Sequence, residues 1–527
     1  MQTKKSSVTL IALAVAMGGF LMGFDASVIS GVIKFIEPEF QLSKIELGWA
    51  VASLSLSATV AMMFAGSISD KYGRIVVLKY SALLYAFSAV LSALAPTFYI
   101  LVLARMMAGI GVGISLIIAP MYIAEIAPAE KRGKLVSFNQ LNIVIGLSAA
   151  FFSNYLIVHL ASSDAAWVEN LKIREYNWRW MLGIEFIPAF FYFIFLFFVP
   201  QSPRWLIMKG RFSEALDIIK TIGDEKVAEK VVAEIQESIL LDSAPKEKIS
   251  IKELFVPSMK LVMTIGIGIA ILQQIVGVNC VFFYAPMIFE QSGIGTESSF
   301  IQAILVGLIN VLFTIVAMAL IDKLGRKPLL VIGLSGIALS MFVLAYSFNA
   351  ATYTLTDASV DKLPVEINDG QLNSLKNKTF ETDTEFKNAV AANIGTAVAN
   401  KYESELITAS IKMNSTLMLF CIIGFVASFA ISLGPVMWVL FSELFPNLVR
   451  GVAISFVGFI NSAVSFLVQL VFPWELSRLG TTLTFLIFGL FAFFGLLLII
   501  KLLPETKGKS LEELEAILIK QRTERWI

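Results

Sequence analysis

Three amide side chains lie close together in one long apolar stretch: Gln273, Gln274 and Asn279. The stretch runs from about Leu261 to Phe289, which is long enough for a membrane-spanning helix. At about 100° per residue, the three amides fall in a broad sector of one helix. Amides donate and accept hydrogen bonds without carrying charge, which suits a neutral, multiply hydroxylated ligand such as a sugar. The alternative is that these amides join neighbouring helices within the membrane.

Ionisable residues form a second group with chemical potential. Asp25, Arg105 and Glu185 each lie within an apolar stretch. Charged groups inside a bilayer are costly, so they are usually paired or functional. A carboxylate that exchanges an arginine partner could take up and release a proton, whereas a permanent Asp25–Arg105 ion pair would only stabilise one conformation.

Composition identifies the class of protein that must position these residues. The chain has 527 residues, of which 57% are hydrophobic and 15% charged, with a mean hydropathy of +0.79. A soluble core does not grow to this size, so we predict a polytopic α-helical membrane protein in a lipid bilayer. The net charge of +1 gives no indication of nucleic acid binding. Cys280, Cys421 and His159 form no disulfide framework and no metal or haem signature, so we expect no cofactor.

Hydropathy predicts an all-α membrane protein with twelve transmembrane helices in two six-helix halves. The predicted spans are 8–33, 47–69, 76–95, 98–122, 135–160, 178–200, 260–290, 299–322, 328–349, 412–442, 450–473 and 480–503. The predicted domains are a first half (1–200), a helical linker (201–259), a second half (260–503) with a polar loop (350–411), and a tail (504–527). Gly109, Gly111 and Gly113 in the fourth span favour close helix packing.

Lysine and arginine at the span ends predict the orientation. With the N-terminus inside, the short inner loops carry clusters of basic residues, and the loops after spans 3 and 7 carry none. Lys172 and Arg174, in the loop after span 5, are a local exception. We therefore predict that both termini and the linker are cytoplasmic and that the 350–411 loop is extracytoplasmic. We assign that loop no function.

Two charged motifs each occur twice. The motif Asp-Lys-x-Gly-Arg stands at 70–74 and again at 322–326. A glutamate followed by an arginine seven residues later also occurs once in each half. The first motif repeats after about 250 residues and the second after about 320, a difference close to the length of the 350–411 loop. Parallel six-span repeats are typical of one transporter architecture. The motifs contribute Asp70, Arg74, Glu125, Arg132, Asp322, Arg326, Glu443 and Arg450.

Taken together, the motifs resemble those of the sugar porters of the major facilitator superfamily over nearly the full length. The stretch from Arg132 to Gln140 is especially similar to bacterial xylose–proton symporters. Two positions depart from the family pattern: Gln201 stands where glutamate is usual, and Ile75 where a second basic residue is usual. The matching motifs are 66–74, Glu125 with Arg132, 200–205, 273–279, 322–326, Gly434-Pro435-x-x-Trp438, Glu443 with Arg450, and 504–508.

The resemblance implies a central sugar cavity between the two halves. An indole offers a flat apolar face to a sugar ring, although Trp438 alone could instead be an interfacial anchor. Phe283, Ser462, Met22 and Leu147 differ from residues of some relatives, so the sugar is left open. The implied contacts are Gln140, Gln273, Gln274, Asn279, Trp438 and Asn461, with Tyr284 and Asn310 as neighbours.

The resemblance also implies roles for the charged residues. Proton-coupled members of the family carry aspartate at the position of Asp25, and Glu185 matches a glutamate of the symporters. The eight repeated charged residues, with Arg204 as a further candidate, would form ion pairs that close the cytoplasmic mouth. The alternative is that these charges only set the topology.

We therefore expect a sugar–proton symporter that works by alternating access, without a cofactor and as a monomer. Its partners are a monosaccharide (pentose or hexose), protons and the lipid bilayer, and its location is the plasma membrane, the inner membrane if the source is bacterial. A facilitative uniporter is the alternative within the same fold. A sensor is less favoured, because only about two dozen residues follow Leu503. An enzyme is least favoured, because no nucleophile–base or metal constellation appears.

Overall fold

The computed structural model describes residues 8–128, 131–222, 228–243, 251–361, 363–364, 367, 372–446 and 449–508. The end of the predicted tail, after residue 508, lies outside this set. In lipid, backbone groups must find hydrogen-bond partners within their own segment, so the apolar stretches form helices. The first helices are α1 (Val8–Phe40), α2 (Lys44–Tyr72), α3 (Arg74–Ala93), α4 (Phe98–Ile126), α5 (Arg132–Ala161), α6 (Ala166–Asn170), α7 (Asn177–Gly183) and α8 (Phe186–Phe195).

The linker is helical, as its sequence pattern predicts. Its helices are α9 (Pro203–Met208), α10 (Phe212–Ile222) and α11 (Ala228–Ser243). They share a small apolar core that includes Trp205, Leu206 and Ala215. Two short 3₁₀ helices, Ile251–Phe255 and Pro257–Met259, lead into the next span.

The remaining elements follow in chain order. They are α12 (Lys260–Ile275), α13 (Val278–Phe283), α14 (Ala285–Glu290), α15 (Thr296–Leu324), α16 (Arg326–Asn349), β1 (Thr352–Thr354), α17 (Asp357–Val360), β2 (Thr379–Phe380), α18 (Asp383–Ile394), α19 (Thr396–Lys401), α20 (Glu403–Ser410), β3 (Ile411–Lys412), α21 (Ser415–Ile431), α22 (Leu433–Leu444) and α23 (Arg450–Leu502).

The helical membrane fold predicted from the sequence is confirmed. Among the described residues, eleven helical segments are long and apolar enough to cross a membrane. The last one, α23, has 53 residues and covers two predicted spans. Its backbone leaves the helical conformation at Gly480, with φ 79° and ψ 170°, which separates the eleventh span from the twelfth.

The prediction of one continuous helix over 261–289 is wrong. The segment is divided into α12, α13 and α14. Gly277 adopts a left-handed conformation (φ 89°, ψ 16°), and a β-carbon there would lie 2.6 Å from the ring of Phe488. Only glycine fits this combination of backbone and space, so Gln273 and Gln274 precede the break and Asn279 follows it.

Span 10 is also divided. It breaks at Ser432 (φ −124°, ψ −98°), shortly before Pro435. Proline disrupts the helical turn that precedes it, which explains why the break falls slightly upstream of Gly434-Pro435. The break places the carbonyl of Leu433 at the start of α22.

The described chain divides into two compact units by its contacts. The first comprises Met1–Val28, Ser53–Ala150 and Arg179–Ile249, and the second comprises Ile29–Ala52, Phe151–Trp178 and Ser250–Ile527. In the first unit, a β-carbon at Gly109 would lie 2.3 Å from the carbonyl oxygen of Leu54. Gly113 approaches the carbonyl of Ala58 equally closely, so the predicted close packing of the fourth span is confirmed.

A three-stranded antiparallel sheet, in the order β2-β1-β3, lies within residues 352–412 of the second unit. Tyr353 pairs with Phe380 on one side and with Ile411 on the other. Burial raises the pKa of the Tyr353 hydroxyl well above its usual range. Helices α17 to α20 pack with the sheet around an apolar core of their own, which includes Tyr353, Phe386 and Leu406.

Candidate functional site

The amides singled out in the sequence form one hydrogen-bonded network in the second unit. Asn461, on α23, donates to the side-chain oxygen of Gln273 at 2.8 Å. Gln274 donates to the oxygens of Asn461 at 3.2 Å and Gln273 at 3.1 Å. Asn279 donates to Gln274 at 2.8 Å, across the break at Gly277. The network therefore joins residues that are almost 190 positions apart in the sequence.

The same amides also bind backbone carbonyl groups of α12 and α22. Gln273 donates to the carbonyl of Leu433, at the start of α22, at 3.0 Å. Asn461 donates to the carbonyl of Ala270 at 2.8 Å. Gln273, Gln274 and Asn461 are all buried, whereas Asn279 is partly exposed. The cluster thus joins helices, and Asn279 gives it an accessible edge.

Ser465 and Gln469 extend the network, and no strong signal in the sequence marks these two residues. Ser465, one helical turn after Asn461 on α23, accepts from Asn279 at 2.7 Å and from Gln469 at 2.8 Å. The hydroxyl of the fully buried Tyr284 donates to the carbonyl of Gln469 at 2.9 Å. Ser465 and Gln469 stand at positions i+4 and i+8 from Asn461, on one face of α23. This spacing is the signal that could have identified them.

The other predicted sugar contacts occupy different surroundings. Trp438 lies on α22 with 48% of its surface exposed, and its ring packs edge-on against Phe441. Asn310 is buried on α15. Gln140 lies exposed on α5 in the first unit. The structure thus brings together Gln273, Gln274, Asn279 and Asn461, with Tyr284 beside them.

The three ionisable residues predicted inside spans are all buried in the first unit, with 3% or less of their surface exposed. Arg105, on α4, donates through Nη1 to the carboxylate of Asp25 and, at 2.8 Å, to its backbone carbonyl. Glu185 lies between α7 and α8, at the N-cap of α8. Among the described residues, Oδ2 of Asp25, Nε of Arg105 and Oε1 of Glu185 are buried without a hydrogen-bond partner.

Hydroxyl groups are also buried in this unit. Ser81 and Ser115 share a hydrogen bond of 2.8 Å. A β-carbon at Gly18 would lie 2.7 Å from the hydroxyl of Tyr192 and 3.2 Å from Oγ of Ser115. These polar groups were not predicted from the sequence, because single serines and tyrosines in apolar helices show no distinctive pattern.

In the first unit, the repeated charged residues form a compact set. Arg74, at the start of α3, binds Glu125 of α4 at 3.0 Å and Asp70 of α2 at 2.6 Å. The linker reaches this set, because the indole of Trp205 donates to the carbonyl of Asp70 at 3.0 Å. Arg132 is exposed at the start of α5.

The second unit contains the equivalent set. Arg326 binds Glu443 at 2.7 Å and Asp322 at 3.3 Å. Thr506 donates to the other carboxylate oxygen of Glu443 at 2.6 Å. Arg450 donates to the carbonyl of Phe445 at 3.1 Å. In both units, therefore, the glutamate of one repeated motif pairs with the arginine of the other.

The two motifs that follow the sixth and twelfth spans also correspond in structure. Glu505 accepts hydrogen bonds from the backbone N–H groups of Arg326 and Lys327, both at 3.0 Å, and so caps α16. The side chain of Gln201 accepts from the N–H of Ile75 at 3.4 Å at the start of α3. A glycine with positive φ precedes each helix, Gly73 at 99° and Gly325 at 95°.

Comparisons with known proteins agree with this architecture. The model of a family described as sugar (and other) transporter matches residues 11–362 and 389–518. An arabinose-proton symporter of Bacillus subtilis is 33% identical, over 97% of this chain and 95% of that protein. A D-xylose-proton symporter of Escherichia coli is 34% identical, over 98% of this chain and 96% of that protein.

A solved structure is also similar. It shows the inward-open conformation of the xylose transporter XylE from E. coli, with a TM-score of 0.72 and 32% sequence identity. The likeness covers 97% of this chain and 99% of that one. Sequence and structure thus agree over nearly the whole length.

Proposed function

Because the chain belongs to the family of sugar (and other) transporters, we propose that it carries a monosaccharide, a pentose or a hexose, together with a proton by alternating access. It is a multi-pass membrane transporter and not an enzyme. One observation carries the proposal of proton coupling: two buried carboxyl groups, of Asp25 and Glu185, accompany one buried guanidinium, of Arg105.

The charge balance of this group supports proton coupling. With both carboxyl groups ionised, the three residues carry a net charge of −1 in a medium of low dielectric constant. One bound proton makes the group neutral, and two like charges in one site resist simultaneous ionisation. In our proposal, Arg105 moves between its partners during the cycle, and Asp25 gains or loses the proton.

The amide network supports a neutral, hydroxylated substrate. Sugar hydroxyls can replace the mutual hydrogen bonds of Gln273, Gln274, Asn279 and Asn461, since amides serve as both donors and acceptors. An analogue that lacks a hydroxyl would leave one of these groups unpaired, which gives selectivity. We propose that the half-exposed indole of Trp438 stacks on the sugar ring, and that Gln140, Asn310 and Tyr284 complete the site.

The charged sets at the span ends support a role in gating. Exposed ion pairs add little stability, but the set around Arg74 is largely buried. If such contacts form in one conformation only, they bias the equilibrium between conformations. We propose that Asp70, Arg74, Glu125, Arg132, Asp322, Arg326, Glu443 and Arg450 close the cytoplasmic side when the transporter faces outward.

Basic residues at the loops support the proposed orientation in a plasma membrane. Both termini and the linker then face the cytoplasm. We also propose that the protein functions as a monomer. A uniporter is the alternative, favoured by one observation: Arg105 binds both the carboxylate and the backbone carbonyl of Asp25, as a permanent structural pair would.

The test uses purified protein in proteoliposomes with an imposed pH gradient, acidic outside, and a panel of labelled pentoses and hexoses. We expect one sugar to accumulate against its gradient and the accumulation to collapse with a protonophore. Equilibration without accumulation would replace the proposal with the uniporter. Absence of flux for every sugar would overturn both.

A further inference from the structure

The polar segment between α16 and α21 is a folded module. Its described residues, within 352–412, form the sheet β2-β1-β3 and helices α17 to α20. Buried side chains on separate elements, among them Tyr353, Val390 and Leu406, give it an apolar core. A linker that only connects two spans does not need a core.

The module is fixed to the second half of the chain. Asp383, at the start of α18, accepts from the N–H of Thr481 at 3.2 Å, beside the break at Gly480. On the side of α14, Ser404 of α20 donates to Glu290 at 2.8 Å, and Lys387 of α18 donates to the side-chain oxygen of Gln291 at 3.3 Å. The module must therefore move together with α14 and the last span.

The module also contacts the turn between α1 and α2, which lies in the predicted first half of the sequence (1–200) and packs within the second compact unit. Lys44, in the first turn of α2, binds Glu37 of α1 at 2.6 Å and Glu403 of α20 at 3.2 Å. The other oxygen of Glu403 binds Lys387 of α18 at 2.8 Å. The four side chains are only 14–20% exposed. They form a chain of alternating charges from the first two spans into the module.

A second contact with the first two spans involves Ser404, the residue of the module next to Glu403. Lys34, on α1, binds Glu290 at the end of α14 at 2.9 Å and also contacts Thr296. Ser404, directly after Glu403, donates to the other oxygen of Glu290 at 2.8 Å. Lys34 and Lys44 are thus both held by acidic residues of the second half.

Glu403 keeps its negative charge in the range of pH where symport would operate. Burial by itself would raise the pKa of Glu403, but the facing ammonium groups of Lys387 and Lys44 outweigh burial and hold the pKa well below its usual range. The nearby Glu37 carboxylate is itself paired with Lys44. A carboxyl group with a lowered pKa keeps its stabilising contact above its unfolded pKa and loses it only in strong acid.

We propose that Lys34, Lys44, Glu290 and Glu403 form an outer gate, in which the 352–412 module clamps the first two spans to the second half and must release them before sugar can enter. The proposal rests on alternating access as the proposed function. Because the module is fixed to the second half, the contacts of the two lysines are the ones that opening would break. Interactions made in one conformation and lost in the other shift the equilibrium between them.

The test measures distances between spin labels, introduced as Asp164→Cys in the loop after α5 and Glu381→Cys in the module, in sugar-free lipid nanodiscs. Positions 164 and 381 are both exposed. The variants Glu403→Gln and Lys44→Gln each remove the contact of a partly buried charged partner. We therefore expect the ratio of long to short distances between the labels to rise about tenfold, within the range typical of coupling energies. The matched control Glu385→Gln, an exposed carboxylate of the same module, should leave the ratio unchanged.

Two further measurements separate the possible outcomes. The double variant Lys44→Gln/Glu403→Gln should shift the ratio by less than the product of the two single shifts, since both remove one contact. Lys34→Gln tests the second contact if a variant at Lys44 does not fold. An unchanged ratio in Glu403→Gln and Lys34→Gln, or a shift equal to that of the control, would overturn the proposal. These distances need no sugar flux, so a failure of proton symport would leave this test valid.

Discussion

At the scale of single residues, the charge count at Asp25, Arg105 and Glu185 decides what the site can do. Arg105 binds the carboxylate of Asp25, Glu185 adds a second carboxyl group in the same unit, and all three residues are buried. Breaking a buried ion pair is strongly destabilising when it leaves an unpaired charge, about 3–5 kcal/mol. A change that removes one carboxylate leaves a balanced pair, so it can test coupling without destroying the fold.

The variant Asp25→Asn makes that change. Arg105 can then pair with Glu185, and we expect the variant to exchange sugar across the membrane but to lose all accumulation driven by a pH gradient. The measurement compares counterflow with uphill uptake in the same proteoliposomes. Asp164→Asn, which removes a 99% exposed carboxylate, should retain both activities. Full proton-driven accumulation in Asp25→Asn would refute the role assigned to Asp25.

At the scale of elements, the break at Gly277 positions the amides, and the sequence did not predict it. The apolar run across 261–289 shows no interruption in the sequence. A break in a membrane helix needs no polar residues when neighbouring helices supply hydrogen-bond partners for its backbone. The network of Gln273, Gln274 and Asn461 depends on a contact nearly 190 residues away, which local spacing cannot predict. The amides could therefore be predicted from the sequence, but their arrangement could not.

The variant Gly277→Ala tests the importance of this break. The left-handed backbone and the 2.6 Å approach to Phe488 leave no room for a methyl group. We expect a loss of about 1–3 kcal/mol in stability and a loss of sugar transport, measured by thermal unfolding and by counterflow. Gly295→Ala is the matched control, because a β-carbon there meets open space at φ −63°. Equal stability of the two variants would contradict this account.

The N-terminal caps of α3 and α16 give a second prediction at this scale. Glu505 caps α16 with both oxygens at 3.0 Å, whereas Gln201 caps α3 with a single bond of 3.4 Å. A carboxylate favours a helix N-terminus by about 0.3–1 kcal/mol, so Gln201→Glu should raise the melting temperature and Glu505→Gln should lower it. The comparison uses thermal unfolding in one detergent at one pH. A loss of stability in Gln201→Glu would mean that the departure from the family pattern suits this chain.

At the scale of the whole molecule, the repeated motifs predicted more of the structure than the loop sequences did. The motifs at 70–74 and 322–326 adopt the same conformation, with Gly73 and Gly325 at nearly the same φ. The module at 352–412 carried no comparable signal. Its core residues, such as Tyr353, Phe386 and Leu406, are spread over separate short elements, so no periodicity marks them. Composition distinguished this segment from the membrane spans but could not show that it folds.

The charged sets of the two halves give the last prediction, because they act on the balance between conformations. Arg326 is only 11% exposed, and Glu443 holds it at 2.7 Å while accepting a bond from Thr506. If this set helps to close the cytoplasmic side, Glu443→Ala should shift the protein toward the inward-facing state, and Arg132→Ala should act in the same direction. Coupling of this kind typically changes an equilibrium about 5- to 150-fold.

Distances between spin labels on the predicted cytoplasmic ends of α3 and α16 would measure this shift in lipid nanodiscs. Asp322→Asn is the matched control, because Asp322 also pairs with Arg326 but is 82% exposed and should contribute little. A larger shift in Asp322→Asn than in Glu443→Ala would assign the effect to surface charge. An unchanged distribution in both Glu443→Ala and Arg132→Ala would limit these residues to setting the topology.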